Sequence, residues 1–579
     1  MTVNLVKNTP ESLINFLQKG YTLEELNSKF RKWTKVQQFF RSENAIKKFI
    51  DFLNNPEAFE ESARDLGDFQ TPRKLTDQIC QYLYNENFKP KVLIEPTCGT
   101  GNFIISALKI FPSIKYVYCI ELQEKLINSL KYNLIKNVFI SDLDIKIELY
   151  KDNIFSHTFS KNLFQMIKRS DSEILIIGNP PWITSAELTV LDSNNIPQKV
   201  NIKRDRGIDA ITGKGNFDVS EYIIIKLLKE FNNFNGKIAM LCKTVVIKNL
   251  IKNIKILGFN ITNIKELRIN SKKEFGINTE SALFYADIGS RTQDFCSVYS
   301  LYDPKKKFRV YGWCYDKFVS DIEKYKHYRY MDGNSQYEWR HGIKHDASKI
   351  MVLEKHKDGK LYNGLGVAVL VEPERLYPFV KSSEIRMPIL KEANKRVIIT
   401  QKNLKEDTKI IRDQYPKLWA YLMENSEYLD RRKSIVYKNR PKFSIFGVGN
   451  YAFMPYKIAI SGFYKEPIFC LILPIKRRPV MLDDTIYYLS FDNLDDAIIT
   501  WIILNLSEVR EFLKSITFLD SKRPYTKDKL MRIDLINLLN RIDFGNIREF
   551  YQTHLECYYE YNLEEKRFLN YIKNLKTNR

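Results

Sequence analysis

The chain has 579 residues, room for roughly two to four domains, and 44% of them are apolar, which excludes a disordered protein. Lysine and arginine outnumber aspartate and glutamate 91 to 69; the resulting net charge of +22 points to a polyanion, nucleic acid before membrane, since no amphipathic anchor or lipidation signal accompanies it. No apolar run approaches the ~20 residues of a membrane span, and the eight scattered cysteines form no Cys-x-x-Cys pair, which argues against a zinc site or disulfide framework and fits a reducing cytoplasm.

Residues 1 to about 64 read as a helical segment. Thr9-Pro10-Glu11 is a helix start with proline at the first position, and Ser42 opens a stretch with apolar residues at Ala45, Ile46, Phe49, Ile50 and Leu53. No chemistry is legible there. The turn Gly67-Asp68-Phe69-Gln70-Thr71-Pro72 follows, with a helix start expected at Thr71-Pro72 and helical periodicity from Leu75 to Tyr84.

Val92-Leu93-Ile94 then predicts a strand that runs into Glu95-Pro96-Thr97-Cys98-Gly99-Thr100-Gly101-Asn102-Phe103 and an apolar helix. Strand, glycine-rich turn and helix together let backbone approach a nucleotide-like ligand. The motif is neither G-x-G-x-x-G nor a Walker loop, so a phosphate cradle is not expected. A second strand, Tyr116 to Ile120, ends in Glu121, placed to accept from ribose hydroxyls. A third, Ile145 to Tyr150, ends at Asp152-Asn153-Ile154-Phe155, where a carboxylate can accept from an adenine amino group. Each acid alone is more often a helix cap than a ligand contact; the repetition at three strand ends favours a ligand.

The apolar run Ile174 to Ile177 closes abruptly on Gly178-Asn179-Pro180-Pro181-Trp182. Two prolines stop the ladder and stiffen the turn. Asn179 offers an amide, Pro180 a carbonyl and Trp182 a flat face, a set suited to a planar ring with an exocyclic amino group. The order Gly67–Pro72, Glu95–Phe103, Glu121, Asp152 and Asn179–Trp182 resembles the amino-methylating DNA methyltransferases, and among them the γ-arranged, TaqI-like N6-adenine group of type II restriction-modification systems. The resemblance spans about residues 65 to 290. It implies a Rossmann-like α/β S-adenosylmethionine-dependent catalytic domain over 65–295, followed by an α+β DNA target-recognition domain over 296–579. It further implies that Thr71, Glu95, Thr97, Gly99, Gly101, Glu121, Asp152 and Phe155 hold S-adenosylmethionine, and that Asn179, Pro180, Pro181 and Trp182 hold the target base. The family's first motif often has alanine where this chain has Thr97 and Cys98, and Cys98 is read as a packed small residue, not a nucleophile.

The polar span from Ile183 to Gly215 contains Lys203-Arg204-Asp205-Arg206. A loop of that length beside an active site can close over a DNA backbone or be a plain insertion. A helix from Ser220 to Phe231, a strand from Lys237 to Leu241 and a closing pair, Ile264 to Ile269 and Ser281 to Ala286, are expected next. Phe275 lies between the last two, either as core or as a second aromatic against a flipped base. Beyond residue 296, aromatics and cations interleave, with Arg340, Arg431, Arg432, Lys438, Arg440, Arg477 and Arg478 in the main clusters, beside Arg204 and Arg206 as candidate DNA contacts. His341 and His345 have metal-compatible spacing without the H-E-x-x-H pattern, so no metal is expected. The tail from Leu563 is either a basic helix or a frayed end.

Together these features predict a site-specific DNA-adenine methyltransferase acting on double-stranded DNA. Open alternatives are N4-cytosine methylation, protein or RNA methylation, and a non-catalytic DNA-binding partner. No Pro-Asp…Glu-x-Lys nuclease cluster is present, so a separate cognate endonuclease is the expected functional partner, and the expected setting is the bacterial cytoplasm and nucleoid. Overall size resembles the ATCGAT-modifying enzymes, but no residue names the target sequence, and the oligomeric state, monomer or dimer, stays open.

Overall fold

The computed structural model describes residues 9–55, 69–169, 173–184, 218–289 and 291–577. The chain forms two compact units, Met1–Phe318 and Val319–Arg579.

The first unit is built on strands β1 (Val92–Glu95), β2 (Tyr116–Glu121), β3 (Lys146–Lys151), β4 (Ile174–Gly178), β5 (Gly236–Lys243), β6 (Ile261–Ile269), β7 (Ser281–Ile288), β8 (Phe295–Ser300) and β9 (Asp303–Cys314), with β10 (Lys317–Val319) at its edge where the unit ends. Their order is β10-β9-β8-β6-β7-β5-β4-β1-β2-β3. Strands β1 to β5 are mutually parallel, with Val92 opposite both Tyr116 and Ile174. Every residue of β1, β2 and β4 is buried, which is why these strands are nearly unbroken apolar runs. Strand β7 runs antiparallel between β5 and β6, forming the expected closing pair. From β1 the chain winds outward to β2 and β3 on one side and to β4 and β5 on the other. The carboxyl ends of β1 and β4 therefore flank a topological switch point, where open α/β sheets place ligands.

Helices Pro10–Leu17, Leu23–Thr34 and Glu43–Asn54 start at the N-caps Thr9, Thr22 and Ser42, each accepting a backbone N–H. Their core of Phe30, Phe39, Phe40 and Phe49 is continuous with that of the sheet. Val36 bridges in parallel to Ile147, so this segment covers the outer edge of β3. The helix after the Gly67–Pro72 turn begins at Arg73, with Pro72 as its cap and no side-chain cap bond; Thr71 is one residue too early to serve.

The structure divides at Phe318/Val319, whereas the sequence places the break at 295/296. Strand β8 pairs parallel with β6, and β9 returns beside β8, so the sheet runs through that point. The basic texture beginning there belongs to the exposed half of β9, including Lys305, Lys306 and Lys307.

The second unit contains two five-stranded sheets. One joins Arg340–His341, Ile486–Phe491, Tyr456–Ser461, Cys470–Ile472 and Ile389–Leu390; the other joins Leu361–Tyr362, Val352–Lys355, Lys395–Ile398, Leu376–Val380 and Met481–Leu482. Helix Leu494–Leu504 is buried on all faces from Ala497 onward. The tail is a helix, Glu565–Thr577, with Phe568, Tyr571 and Leu575 buried and the Tyr571 hydroxyl accepting from Thr500 at 3.0 Å, so it is packed rather than frayed.

Candidate active site

The turn after β1 is shaped by two glycines with positive φ, Gly99 (51°) and Gly101 (83°). A Cβ on Gly101 would lie 2.0 Å from the Leu130 Cδ1, so glycine is required both by conformation and by the close approach of helix Glu124–Lys136. Gly101 starts helix Asn102–Ile110, and the Asn102 amide donates to the Thr71 carbonyl at 2.9 Å, tying the turn to the segment before Arg73. Glu121, at the end of β2, accepts from the Gly99 N–H at 2.9 Å through Oε2 and from the Gln123 N–H at 2.8 Å through Oε1. The carboxylate expected at a ribose thus also braces the glycine turn.

Glu95, Thr97 and Asn179 line one cleft with Thr71, Gly99 and Asn102. Glu95 is only 2% exposed, and burial, reinforced by Cys119 and Glu121, pushes its pKa well above the usual carboxylate range. Its Oε2, the Thr97 Oγ1 and the Asn179 Oδ1 are buried without a hydrogen-bond partner among the described residues. Such atoms cost free energy unless a ligand satisfies them. A cation-bearing amino acid moiety with ribose hydroxyls supplies donors to that set of oxygens. Gln70, not singled out in the sequence, lies over this turn. Its Oε1 accepts from the Thr100 N–H and hydroxyl, both at 3.1 Å, and would sit 2.5 Å from a Cβ on Gly99.

Asp152, at the end of β3, accepts from the Asn153 N–H at 2.7 Å and pairs with His157 Nδ1 at 2.7 Å. His157 is buried, and its Nε2 meets the Tyr118 hydroxyl at 2.8 Å. Burial raises the Asp152 pKa, but the bonds from His157 and the Asn153 N–H outweigh it and hold the carboxylate below its ordinary value. Phe155 sits edge-on to Tyr222, 5.4 Å between centroids.

At the end of β4, Asn179 donates from Nδ2 to the Phe69 carbonyl at 2.8 Å, which fixes the amide so that Oδ1 faces the cleft. Trp182 is not an open platform. It is 5% exposed, edge-on to Phe275 at 5.1 Å, and 6.1 Å from Phe69, which is itself 6.1 Å from Phe275. Three rings therefore close on each other beside Asn179, and Phe69 supplies both a ring and the carbonyl that orients the amide. Its signal in the sequence was its place in the Gly67–Pro72 turn; nothing marked it individually.

The basic residues of the second unit divide into two groups. Arg432 donates to the carbonyls of Leu429 at 2.7 Å and Ser444 at 2.6 Å and lies 3.9 Å over Tyr437. Arg478 donates to the carbonyls of Pro373 and Leu376, both at 2.6 Å. Both hold loops together rather than present a free guanidinium. Arg431, Lys438, Arg440 and Arg477 are exposed, and Arg340 is half-buried, paired with Glu338 over the Tyr451 ring. His345 is buried and accepts the Ala347 N–H on Nδ1, while His341 packs on Tyr487. Arg204, Arg206, Gly67 and Asp68 lie outside the described residues.

Residues 53–256 match the N-6 DNA Methylase family. The chain is 37% identical over 479 residues to the type II methyltransferase M.NspV of Nostoc sp. (strain ATCC 29411 / PCC 7524), covering 82% of this chain and 97% of that protein. The chain belongs to the type II N6-adenine DNA methyltransferases. Among solved structures, this methyltransferase is similar to the type IIL restriction-modification enzyme MmeI in complex with DNA, with a TM-score of 0.47 and 10% identity over 98% of this chain and 82% of that one. It is also similar to a putative class I S-adenosylmethionine-dependent methyltransferase from Listeria monocytogenes, with a TM-score of 0.31 and 13% identity over 52% of this chain and 87% of that one. The methyltransferase uses S-adenosylmethionine and methylates adenine at N6 in DNA as part of a restriction-modification system.

Proposed function

We propose that methyl transfer takes place in the crevice between β1 and β4, with Asn179 as the residue that prepares the adenine amino group. The observation that carries this is the Asn179 amide, with Nδ2 held by Phe69 and Oδ1 buried without a partner among the described residues. Oδ1 and the Pro180 carbonyl accept the two N6–H bonds and draw the nitrogen from planar toward tetrahedral geometry, freeing its lone pair. Glu95, Thr97, Glu121 and Asp152, with the backbone at Thr71, Gly99 and Gly101, hold S-adenosylmethionine, which when bound supplies an electrophilic methyl group. No enzyme nucleophile is needed. The adenine leaves the duplex to reach this depth, and Trp182 and Phe275 separate to receive its ring.

Arg431, Lys438, Arg440 and Arg477 contact DNA phosphates or base edges, with Arg340 beside them, while Arg432 and Arg478 shape the loops that present them. Among the described residues no helix is long and apolar enough to cross a membrane, and the enzyme works on cytoplasmic DNA, protecting it from a separate cognate endonuclease. The test is transfer of labelled methyl from S-adenosylmethionine to unmethylated bacterial DNA, followed by digestion to nucleosides, with Asn179→Ala as control. Label in N6-methyl-2′-deoxyadenosine, absent from the variant, supports the assignment. Label in N4-methylcytosine keeps the chemistry and reassigns the base. Transfer by the variant at the wild-type rate removes Asn179 from the mechanism.

A further inference from the structure

A second cleft, of about 210 Å³, lies in the first unit between the N-terminal helices, the start of helix Glu124–Lys136 and the end of β3. Four cations line it, Arg41, Lys48, Lys131 and Lys151, against one carboxylate, Glu124. Glu124 is engaged by Lys48 at 3.1 Å and by Lys151. That leaves Arg41 and Lys131 with no carboxylate bonded to them among the described residues; Arg41 donates through Nη2 to the Leu149 carbonyl at 3.1 Å and lies over the Tyr150 ring, and its Nε and Nη1 carry no bond among the described residues. The first turn of the twelve-residue helix Glu43–Asn54 also faces the cleft through Ser42, adding its N-terminal dipole.

Lys131 decides the matter. It is 6% exposed, and its ammonium lies 5.2 Å and 5.3 Å from the Phe39 and Phe40 ring centres. Among the described residues it makes no hydrogen bond, and burial lowers its pKa to about 8. Lys457, the other buried lysine among the described residues, and the half-buried Lys226 behave differently. Lys457 donates to the Met454 carbonyl at 2.8 Å, and Lys226 donates to the carbonyls of Phe155 and His157. A lysine whose stem is buried between aromatic faces, and whose ammonium lines the cleft with no acceptor bonded to it among the described residues, favours an anion there.

We propose that this cleft binds a phosphate group, with Lys131 and Arg41 as its principal ligands, Lys48 and Lys151 shared with Glu124, and the Ser42 helix start behind them. The site goes beyond the methyl-transfer reading and does not depend on Asn179. The phosphate comes either from the DNA backbone, as an anchor remote from the target base, or from a free phosphorylated molecule.

Two measurements on the full chain test the site and separate the sources: calorimetric titration with inorganic pyrophosphate, and the salt dependence of duplex DNA affinity. Both are made on the wild type, Lys131→Met and Arg41→Ala. Lys131→Met replaces a buried charge with an apolar side chain of similar length, and Arg41→Ala alters an exposed position should the first variant fold poorly. Weakening of pyrophosphate affinity by about tenfold or more, the worth of one charge-assisted bond, supports the site. If the slope of log affinity against log salt also falls by about 0.9 for each phosphate no longer neutralised, the source is the DNA backbone. An unchanged slope with weakened pyrophosphate binding assigns a free phosphate. Absence of pyrophosphate binding by the wild type, or wild-type behaviour of both variants in both measurements, overturns the proposal. Methyl transfer is not read, so failure here and failure at Asn179 are distinguishable.

Discussion

The turns after β1 and β4 stand on adjacent parallel strands, and each presents a buried oxygen without a partner among the described residues, Glu95 Oε2 and Asn179 Oδ1. They are prepared differently. The Asn179 amide is clamped by the Phe69 carbonyl, so its acceptor is aimed without needing a ligand. The β1 turn is occupied by its own protein: Gln70 takes the Thr100 N–H, and Glu95 is pushed toward its protonated form. The turn proposed to hold the base is therefore fixed in backbone and at its key side chain, through two prolines and a tethered amide. The turn proposed to hold the cofactor is braced by the Glu121, Asn102 and Gln70 side chains, but the Glu95 carboxyl itself keeps an oxygen with no partner among the described residues. Rigidity belongs where a reacting atom must be positioned, and adjustable polarity where a charged ligand enters and leaves.

Breaking the rigid turn has the largest effect. Asn179→Ala is expected to lower methyl transfer about 10³-fold or more while cofactor affinity, read by titration, stays close to wild type. Equal loss of both would mean that the two turns act as one. Trp182→Ala comes next, because the ring is both core and platform. Denaturant unfolding should show about 3–5 kcal/mol lost, and affinity for DNA with the target adenine already unpaired should fall by about 1–3 kcal/mol. A stability loss without the binding loss would return Trp182 to the core alone.

Gly101→Ala tests the cofactor turn. The added Cβ meets Leu130 and the backbone keeps a positive φ, so about 1–3 kcal/mol of stability is lost, with weaker cofactor binding and no selective effect on DNA affinity. Glu95→Gln sharpens the contrast most finely. In the unfolded chain Glu95 ionises near the ordinary value of about 4.3; in the fold its proton is retained to higher pH. The folded state thus binds more protons, and stability drains away as pH rises from the unfolded value to the raised native one. Glu95→Gln should melt higher than wild type at neutral pH, with the difference vanishing in acid, and should bind cofactor about tenfold more weakly for want of one charge-assisted bond. No stability gain at neutral pH would mean that the carboxylate is satisfied in the fold.

Much of the catalytic unit was legible along the chain. Buried parallel strands are continuous apolar runs, and their ends are marked by residues with special backbone demands: Gly99 and Gly101 after β1, Pro180 and Pro181 after β4. The site residues that escaped notice act through groups every residue carries or through partners far away in sequence. Phe69 contributes a carbonyl, which has no side-chain signature, and His157 matters because β2 brings Tyr118 beside it. The compact units divide at Phe318/Val319 and not at 295/296, because charge reports solvent exposure and the outer face of β9 is exposed although its sheet is not finished. Arg431 and Arg432 are adjacent and identical in type, yet one is exposed beside Glu427 and the other lies against Tyr437, tying two loops.

By itself the sequence determined the reaction class, the strand-turn-helix units and the identity of the turn residues, because backbone conformation and hydrophobic period are local properties written in consecutive side chains. Only the tertiary structure decided which polar atoms are left without partners, which arginines are engaged, that three rings close beside Asn179, and that Lys131 is buried facing a basic cleft. Those are properties of neighbours brought together across the fold, and a hydrogen bond or a desolvated charge exists only once both sides of it are in place.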